Sequence, residues 1–391
     1  MHLILSLIII TPTLIILCYD SLQTGGKMGN VLNNRKIGLA LSGGGVRAIA
    51  YHAGVVKYLA EHNLMKKITN ISSVSGGSLF TGLVLNLSQN RLPSDEQYLT
   101  DILPKLREHM IFTSLQQSGM SALMKFSNWK HVLNRRSLVI SQTIESLWGI
   151  KSVLADLPRN PVWTINCTNG ENGQRFRFKN ETMGDNKTGY TSARLFKTAD
   201  AMAASAAFPV GIGPVEIDTA NYKWELETPY GSGHKERVRP EFEKLHIYDG
   251  GLYDNLGTET FYEVSEQGVK LNTKDVDFII ISDAGSPMTE TPLSDPFSLS
   301  RVNKLINILM EQSRRLRVNS FTNFMKYNGN GGIYISLADN SLLSITNDDF
   351  TMSEVTAARS LPTSLDQMTG FEFDSLVKCG YHSVRLHIDQ I

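Results

Sequence analysis

The residues of this chain whose types and spacing could do chemistry fall in three short stretches. The first is Ser73-Val74-Ser75-Gly76-Gly77, which ends the apolar run Ile71 to Val74 and precedes a helical run through Leu79, Phe80, Leu83, Val84 and Leu87. A serine between a strand and a helix is the context of a nucleophile elbow, where a tight turn lifts the hydroxyl clear of the backbone. Serine alone is a poor nucleophile and needs a base within hydrogen-bond reach. The best carboxylate for that role is Asp249, in Leu245-His246-Ile247-Tyr248-Asp249-Gly250-Gly251, where a short strand runs into a glycine turn with little bulk beside the acid. The third stretch is Ile37-Gly38-Leu39-Ala40-Leu41-Ser42-Gly43-Gly44-Gly45-Val46-Arg47-Ala48, a strand, a glycine loop and a helix start. The first N–H groups of such a helix have no internal partner and its dipole adds positive potential, so the loop suits an anion or a developing oxyanion.

Two anions compete for that loop. Gly43, Gly45 and Ala48 fit the G-x-G-x-x-G/A dinucleotide pattern, which needs a carboxylate about 20 residues on at the end of the second strand. Glu61 has that spacing but lies in the amphipathic run Val46 to His62, and the second strand ends in Ser75 instead. The oxyanion reading is therefore preferred over a nonenzymatic phosphate- or nucleotide-binding module. Ser42 and Ser78 are weaker nucleophiles, one on the strand side of the loop and the other inside the helix after the elbow. Asp254 and Asp283 are weaker bases, the former a turn or cap residue. A Ser-His-Asp esterase would take its histidine from His382 or His387 in the tail. His246 alternates to the face opposite Asp249, and His52 reads as a helix-face residue.

All three stretches stand at the carboxyl ends of expected strands, where functional loops gather in a parallel sheet. Together they resemble the patatin-like phospholipase family. That family's oxyanion loop matches Gly43-Gly44-Gly45-Val46-Arg47, its G-x-S-x-G motif matches Ser73 to Gly77 with Ser75 as nucleophile, and its Asp-Gly-Gly/Ala motif matches Asp249 to Gly251. Ala203-Ala204-Ser205-Ala206-Ala207-Phe208-Pro209 resembles the family's small-residue helix ending in Phe-Pro, and Tyr253-Asp254-Asn255-Leu256-Gly257 resembles the run just after the aspartate in bacterial members. One departure is Ser73, which stands where the motif has its first glycine. The resemblance implies an α/β fold of three layers, a mainly parallel central sheet with helices on both faces. It also implies a serine–aspartate dyad without histidine that hydrolyses fatty-acyl esters of lipids, as a phospholipase A or lysophospholipase, with no metal and no cofactor. Arg47 then orients the loop or faces a lipid phosphate.

The rest of the chain must supply the elements that hold these residues. Its 391 residues can bury a sizeable core, and 38 basic against 38 acidic residues leave no long-range field and no case for a nucleic-acid partner. Cys18, Cys167 and Cys379 have no framework or metal spacing, and Cys167 reads as a core residue on the strand Val162 to Cys167. Residues 1–19 are uncharged up to Tyr19 and aliphatic over much of Ile4 to Leu17, an anchor or signal-like segment through residues 3–18. The basic residues Lys27, Arg35 and Lys36 after it favour an enzyme attached to the membrane from the cytoplasmic side, with a cleaved signal or a start at Met28 as alternatives. Residues 20–36 read as a linker and 37–391 as the catalytic domain, with a helical insertion about 110–148 that is a cap or an ordinary packing segment.

Within that domain, Ser94 to Gln97 has capping-box form and opens a helix through about His109 that Pro104 kinks or splits. Arg175 to Phe178 and Phe278 to Ile281 read as strands, Asp218 to Pro240 as a hairpin or loop, and Leu299 to Met325 as a long amphipathic helix.

Overall fold

A computed structural model of the chain holds fourteen strands among the residues it describes. It describes residues 32, 34–118, 136–209, 211–228, 232–265, 268–271, 275–287, 290–328 and 331–388. In chain order the first strands are β1 (Ile37–Leu41), β2 (Ile68–Val74), β3 (Val162–Asn169), β4 (Arg175–Phe178) and β5 (Thr182–Asp185). Next come β6 (Gly189–Ser192), β7 (Val215–Asp218), β8 (Trp224–Glu227), β9 (Lys235–Val238) and β10 (Lys244–Asp249). A separate hairpin is made by β11 (Tyr262–Ser265) and β12 (Gly268–Leu271), and β13 (Phe278–Asp283) and β14 (Gly332–Ser336) rejoin the main sheet. The longer helices are α1 (Gly45–Glu61), α2 (Gly76–Leu87), α3 (Leu103–Phe112), α4 (Arg136–Trp148), α5 (Thr198–Ser205), α6 (Leu299–Asn328), α7 (Met352–Ser360) and α8 (Gly370–Ile388).

The centre of the sheet, in the order β14-β13-β1-β2-β3, is parallel throughout. Its two faces are both covered. Leu39, Leu41, Phe278 and Ile280 pack with residues of α1, α2 and α8, while Ala40, Ile279 and Ile281 pack with Phe321 and Phe324 of α6. Burial on both faces is why β1 and the Phe278 to Ile281 part of β13 read as unbroken apolar runs. Beyond β3 the sheet continues β4-β5-β6-β8-β9, antiparallel at every step.

The strand that carries Asp249 departs from the expectation of three parallel strand ends. β10 pairs with β3 antiparallel, through Ile247↔Asn169 to Asp249↔Cys167, while β2 pairs with β3 parallel up to Val74↔Asn166. The other edge of β3 is taken by β4 over Ile165 to Thr168, so β2 and β10 share one edge and meet end to end. The carboxyl ends of two strands running in opposite directions therefore face each other across a single residue step of β3. This geometry brings a serine and an aspartate from distant parts of the chain together.

Helix α1 is buried along almost its whole length, between the sheet and α8. The two helices touch backbone to backbone. A Cβ on Gly54 would stand 1.9 Å from the carbonyl O of Val377, and one on Gly380 would stand 2.0 Å from that of Tyr51. Before α3, Ser94 caps a short turn by accepting the Gln97 N–H at 3.1 Å. A π-helical turn over Tyr98–Ile102 then absorbs the fault, so that Pro104 sits at the start of α3 instead of in its interior. The hydrophobic segment 1–19, most of the linker, and the middle of the expected insertion, 119–135, lie outside the described residues. Among the described residues no helix is long and apolar enough to cross a membrane.

Candidate active site

Ser75 ends β2 with φ 49° and ψ −117°, a region that side-chain-bearing residues rarely enter. The turn is tight because α2 starts at once and presses on the backbone behind it. A Cβ on Gly77 would meet the Leu41 carbonyl O at 2.4 Å, and one on Gly76 would meet that of Gly45 at 2.3 Å. Ser73, in place of the motif's first glycine, is fully buried, and its hydroxyl is used. It accepts the Trp163 indole N–H at 2.8 Å and is bonded to the Ser78 hydroxyl at 2.8 Å. Ser78 in turn lies 2.9 Å from the Ser205 hydroxyl, which accepts the Ser75 N–H at 2.9 Å and donates to the Asn166 carbonyl at 2.8 Å. Because the Ser205 proton goes to a carbonyl, Ser78 must donate to Ser205 and Ser73 to Ser78. The relay ends on the Asn166 carbonyl, and the Ser75 N–H donates into it at Ser205.

Asp249 is 4% exposed, its main chain fixed by an N–H bond to the Ala207 carbonyl at 3.0 Å and by the Thr168 hydroxyl on its own carbonyl at 2.8 Å. Burial pushes the carboxyl up to about 6, against the Gly251 N–H donated to Oδ1 at 2.7 Å and the Ser75 hydroxyl, both of which hold it down. A desolvated carboxylate at the end of the strand that meets the serine's is a base raised towards neutrality, which is what deprotonating an alcohol requires.

The glycine loop passes against Ser75, for a Cβ on Gly43 would lie 3.1 Å from that of Ser75. Gly44 and Gly45 have φ 147° and 61°, which only glycine adopts without strain. The Gly43 N–H is donated to the Asn255 carbonyl at 3.1 Å and the Val46 N–H to the Ser364 carbonyl at 2.9 Å. The loop amides left without a partner among the described residues are those of Gly44 and Gly45. Helices α1 and α2 both begin here, and neither has an acidic residue in its first turn to cancel its dipole. Arg47 is buried and committed to the scaffold: its guanidinium donates to the carbonyls of Ala284 at 2.9 Å and Leu361 at 2.7 Å and to the Thr363 hydroxyl at 3.1 Å. Burial lowers its pKa to about 10, with Asp283 opposing. It ties the loop to the chain's later segment and presents no cation to a lipid phosphate.

A family model described as patatin-like phospholipase matches residues 39–262, more than half of the chain. The chain belongs to that family. No curated protein matches it. Among solved structures, this patatin-like chain is similar in fold to human GIVD cytosolic phospholipase A2, with a TM-score of 0.52 at 12% identity over 91% of this chain and 61% of that one. The same human protein in complex with methyl gamma-linolenyl fluorophosphonate inhibitor and terbium chloride gives 0.51 at 12% identity, over 91% and 58%. The chain thus spans about 60% of the length of these neighbours.

The rival residues of this patatin-like protein are held elsewhere. Ser42 donates to the Gly43 carbonyl and accepts the Ala284 N–H. Asp254 accepts the N–H groups of Leu256, Thr258 and Glu259 and faces Arg317 at 3.3 Å, and Asp283 is bonded to Arg314 at 2.6 Å and to the Tyr334 hydroxyl at 2.7 Å. His52 is fully buried, its Nε2 donating to the Ser42 carbonyl and its Nδ1 accepting from Ser282, and burial lowers its pKa to about 4. His246 pairs with Glu171, His382 lies on the Phe350 ring and His387 bonds the Ser383 carbonyl. Glu61 pairs with Lys57 at the far end of α1. Three residues matter that motif spacing did not single out. Ser205 and Asn166 fix the elbow, and Asn255 stands between the two glycine turns, its Oδ1 2.4 Å from where a Gly43 Cβ would be and 2.8 Å from that of Gly251. The small-residue helix and the Tyr253-Asp254-Asn255-Leu256-Gly257 run held two of them in view; mid-strand Asn166 had no local signal.

Proposed function

We propose that this protein is a phospholipase A or lysophospholipase that cleaves fatty-acyl esters of membrane lipids with a Ser75–Asp249 dyad, carried by a catalytic unit over residues 37–391. The observation that carries the reading is the strained turn at Ser75 set end to end with the buried Asp249, whose carboxyl pKa the Ser75 hydroxyl holds down, beside the unpartnered amides of Gly44 and Gly45. Asp249 takes the Ser75 proton as the oxygen attacks the ester carbonyl, and the loop amides and two helix N-termini stabilise the oxyanion. The protonated Asp249 then gives its proton to the departing alcohol oxygen of the lipid. Water, deprotonated by the same carboxylate, releases the fatty acid from Ser75. The histidine beside the glycine loop, His52, is committed through both ring nitrogens to the Ser42 carbonyl and the Ser282 hydroxyl, which favours the dyad over a triad.

The test is fatty-acid release from mixed phospholipid vesicles, with a chelator present, by the protein and by its Ser75→Ala and Asp249→Asn variants. A drop of about 10³-fold or more in both supports the dyad. Release that survives in either variant overturns that residue's role. A fluorophosphonate, the chemistry bound to the human structural neighbour, reports on Ser75 directly. If the unmodified protein neither releases fatty acid nor takes the probe, the reading passes to a phosphate- or nucleotide-binding module.

A further inference from the structure

Helix α6 is docked by its inner face and leaves an apolar outer face. Its inner face contributes Phe321 and Phe324 to the core, Arg314 to the Asp283 pair and Arg317 to the Asp254 turn. On the outside Val302, Leu305, Leu309 and Leu316 recur at helical spacing, and the preceding turn adds Phe297 and Leu299. Phe297 is 101% exposed, Leu299 and Leu309 are 70% and Leu316 is 68%. Scattered exposed leucines need no explanation, but a contiguous stripe does.

Three observations say what covers it. From Leu299 to Leu316 the helix carries Arg301, Lys304, Arg314 and Arg315 against one acid, Glu311, which Arg314 and Arg315 neutralise, while the Lys304 ammonium also donates to Thr291. The balance is basic, the charge pattern of a helix that lies on an anionic surface. The stripe also runs off the helix into Phe297, making a broad patch. At the spacing of a coiled-coil seam it would meet Gln312 and Asn319, with Ile306 and Ile308 where flanking charges belong, so a second copy of this helix is a poor fit. Finally, the helix borders the chemistry, since the Met310 methyl lies 2.6 Å from where a Cβ on Gly251 would stand, and Gly251 holds Asp249.

We propose that the outward stripe from Phe297 to Leu316 is the surface by which the protein seats on a lipid bilayer, with Arg301 and Lys304 reaching anionic headgroups. This rests on the lipid-hydrolase reading of the site and adds the face that meets the substrate's membrane. Seated there, the bilayer lies on the far side of the helix whose Met310 packs on the Asp249 turn.

The experiment uses the full chain with phosphatidylcholine vesicles, with and without phosphatidylglycerol, and compares it with the Leu305→Glu/Leu309→Glu variant. Sedimentation should show vesicle partitioning reduced about tenfold or more, with vesicle hydrolysis falling in parallel and hydrolysis of a soluble short-chain nitrophenyl ester unchanged. Arg301→Gln/Lys304→Gln should remove only the gain that phosphatidylglycerol provides. Vesicle binding by the leucine variant equal to that of the unmodified protein overturns the proposal. So does light scattering that finds a dimer split by the variant while vesicle binding stays intact, which would make the stripe a self-interface. The soluble ester separates the two readings: if neither protein cleaves it the dyad reading fails, while sedimentation still decides the stripe.

Discussion

Burying Asp249 raises its pKa to about 6, which makes it a stronger base and costs the fold stability when it is held ionised. Only the ionised form can take the Ser75 proton, so kcat/KM should climb about tenfold per pH unit below 6 and level off above it. A raised folded-state pKa for an acid means that the native state binds the proton more tightly than the unfolded chain does. The penalty is absent below the usual carboxylate value and is complete above about 6. Asp249→Asn should therefore be inactive yet more stable at neutral pH by roughly 1–3 kcal/mol, with the gain fading as the pH falls through this window, as thermal melts at several pH values would show. Ser73 gives a second expectation at this scale. Ser73→Gly would restore the family's motif, but it orphans the buried Trp163 N–H and removes the Ser78 partner, so it should cost about 1–3 kcal/mol in chemical denaturation. Ser75 and Asp249 were legible because each sits where an apolar run stops at glycine. The hydroxyl relay was not, since Ser78 and Ser205 meet only after α2 and α5 have packed on β3.

At the scale of elements, the parallel centre could be read from β-rich apolar runs followed by helical periodicity. The antiparallel placing of β10 could not, because strand direction leaves no trace in an alternating pattern of six residues. The same holds for three four-residue strands: β5 and β6, which extend the sheet from β4, and β7, which pairs with β10. The seating of α8 on α1 is the element contact with least tolerance. Gly380→Ala places a methyl group 2.0 Å from the Tyr51 carbonyl, and the helices must separate to admit it. A loss of about 3 kcal/mol in thermal unfolding is expected, whereas an exposed Gly→Ala change in a helix would gain about 0.5–1 kcal/mol.

For the whole molecule, the family match ends at residue 262, yet the glycine loop is braced from well beyond it. Ser364 accepts the Val46 N–H and stands where a Cβ on Gly45 would collide, and Leu361 and Thr363 hold Arg47. A chain cut after residue 360 keeps every motif and should lose both fluorophosphonate labelling and its cooperative melting transition. Motif spacing shows none of this bracing because the tail acts on the loop mostly through backbone carbonyls, which carry no residue signature. The end-to-end meeting of β2 and β10 on β3 also sets a timetable. The serine and the aspartate are brought within reach by two docking events, each joining segments far apart along the chain, and contacts of that kind close late in folding. Reactivity at Ser75 is thus a clock for assembly: in a refolding experiment it should lag the recovery of helical signal, because a half-built sheet holds all the catalytic side chains and none of the catalysis.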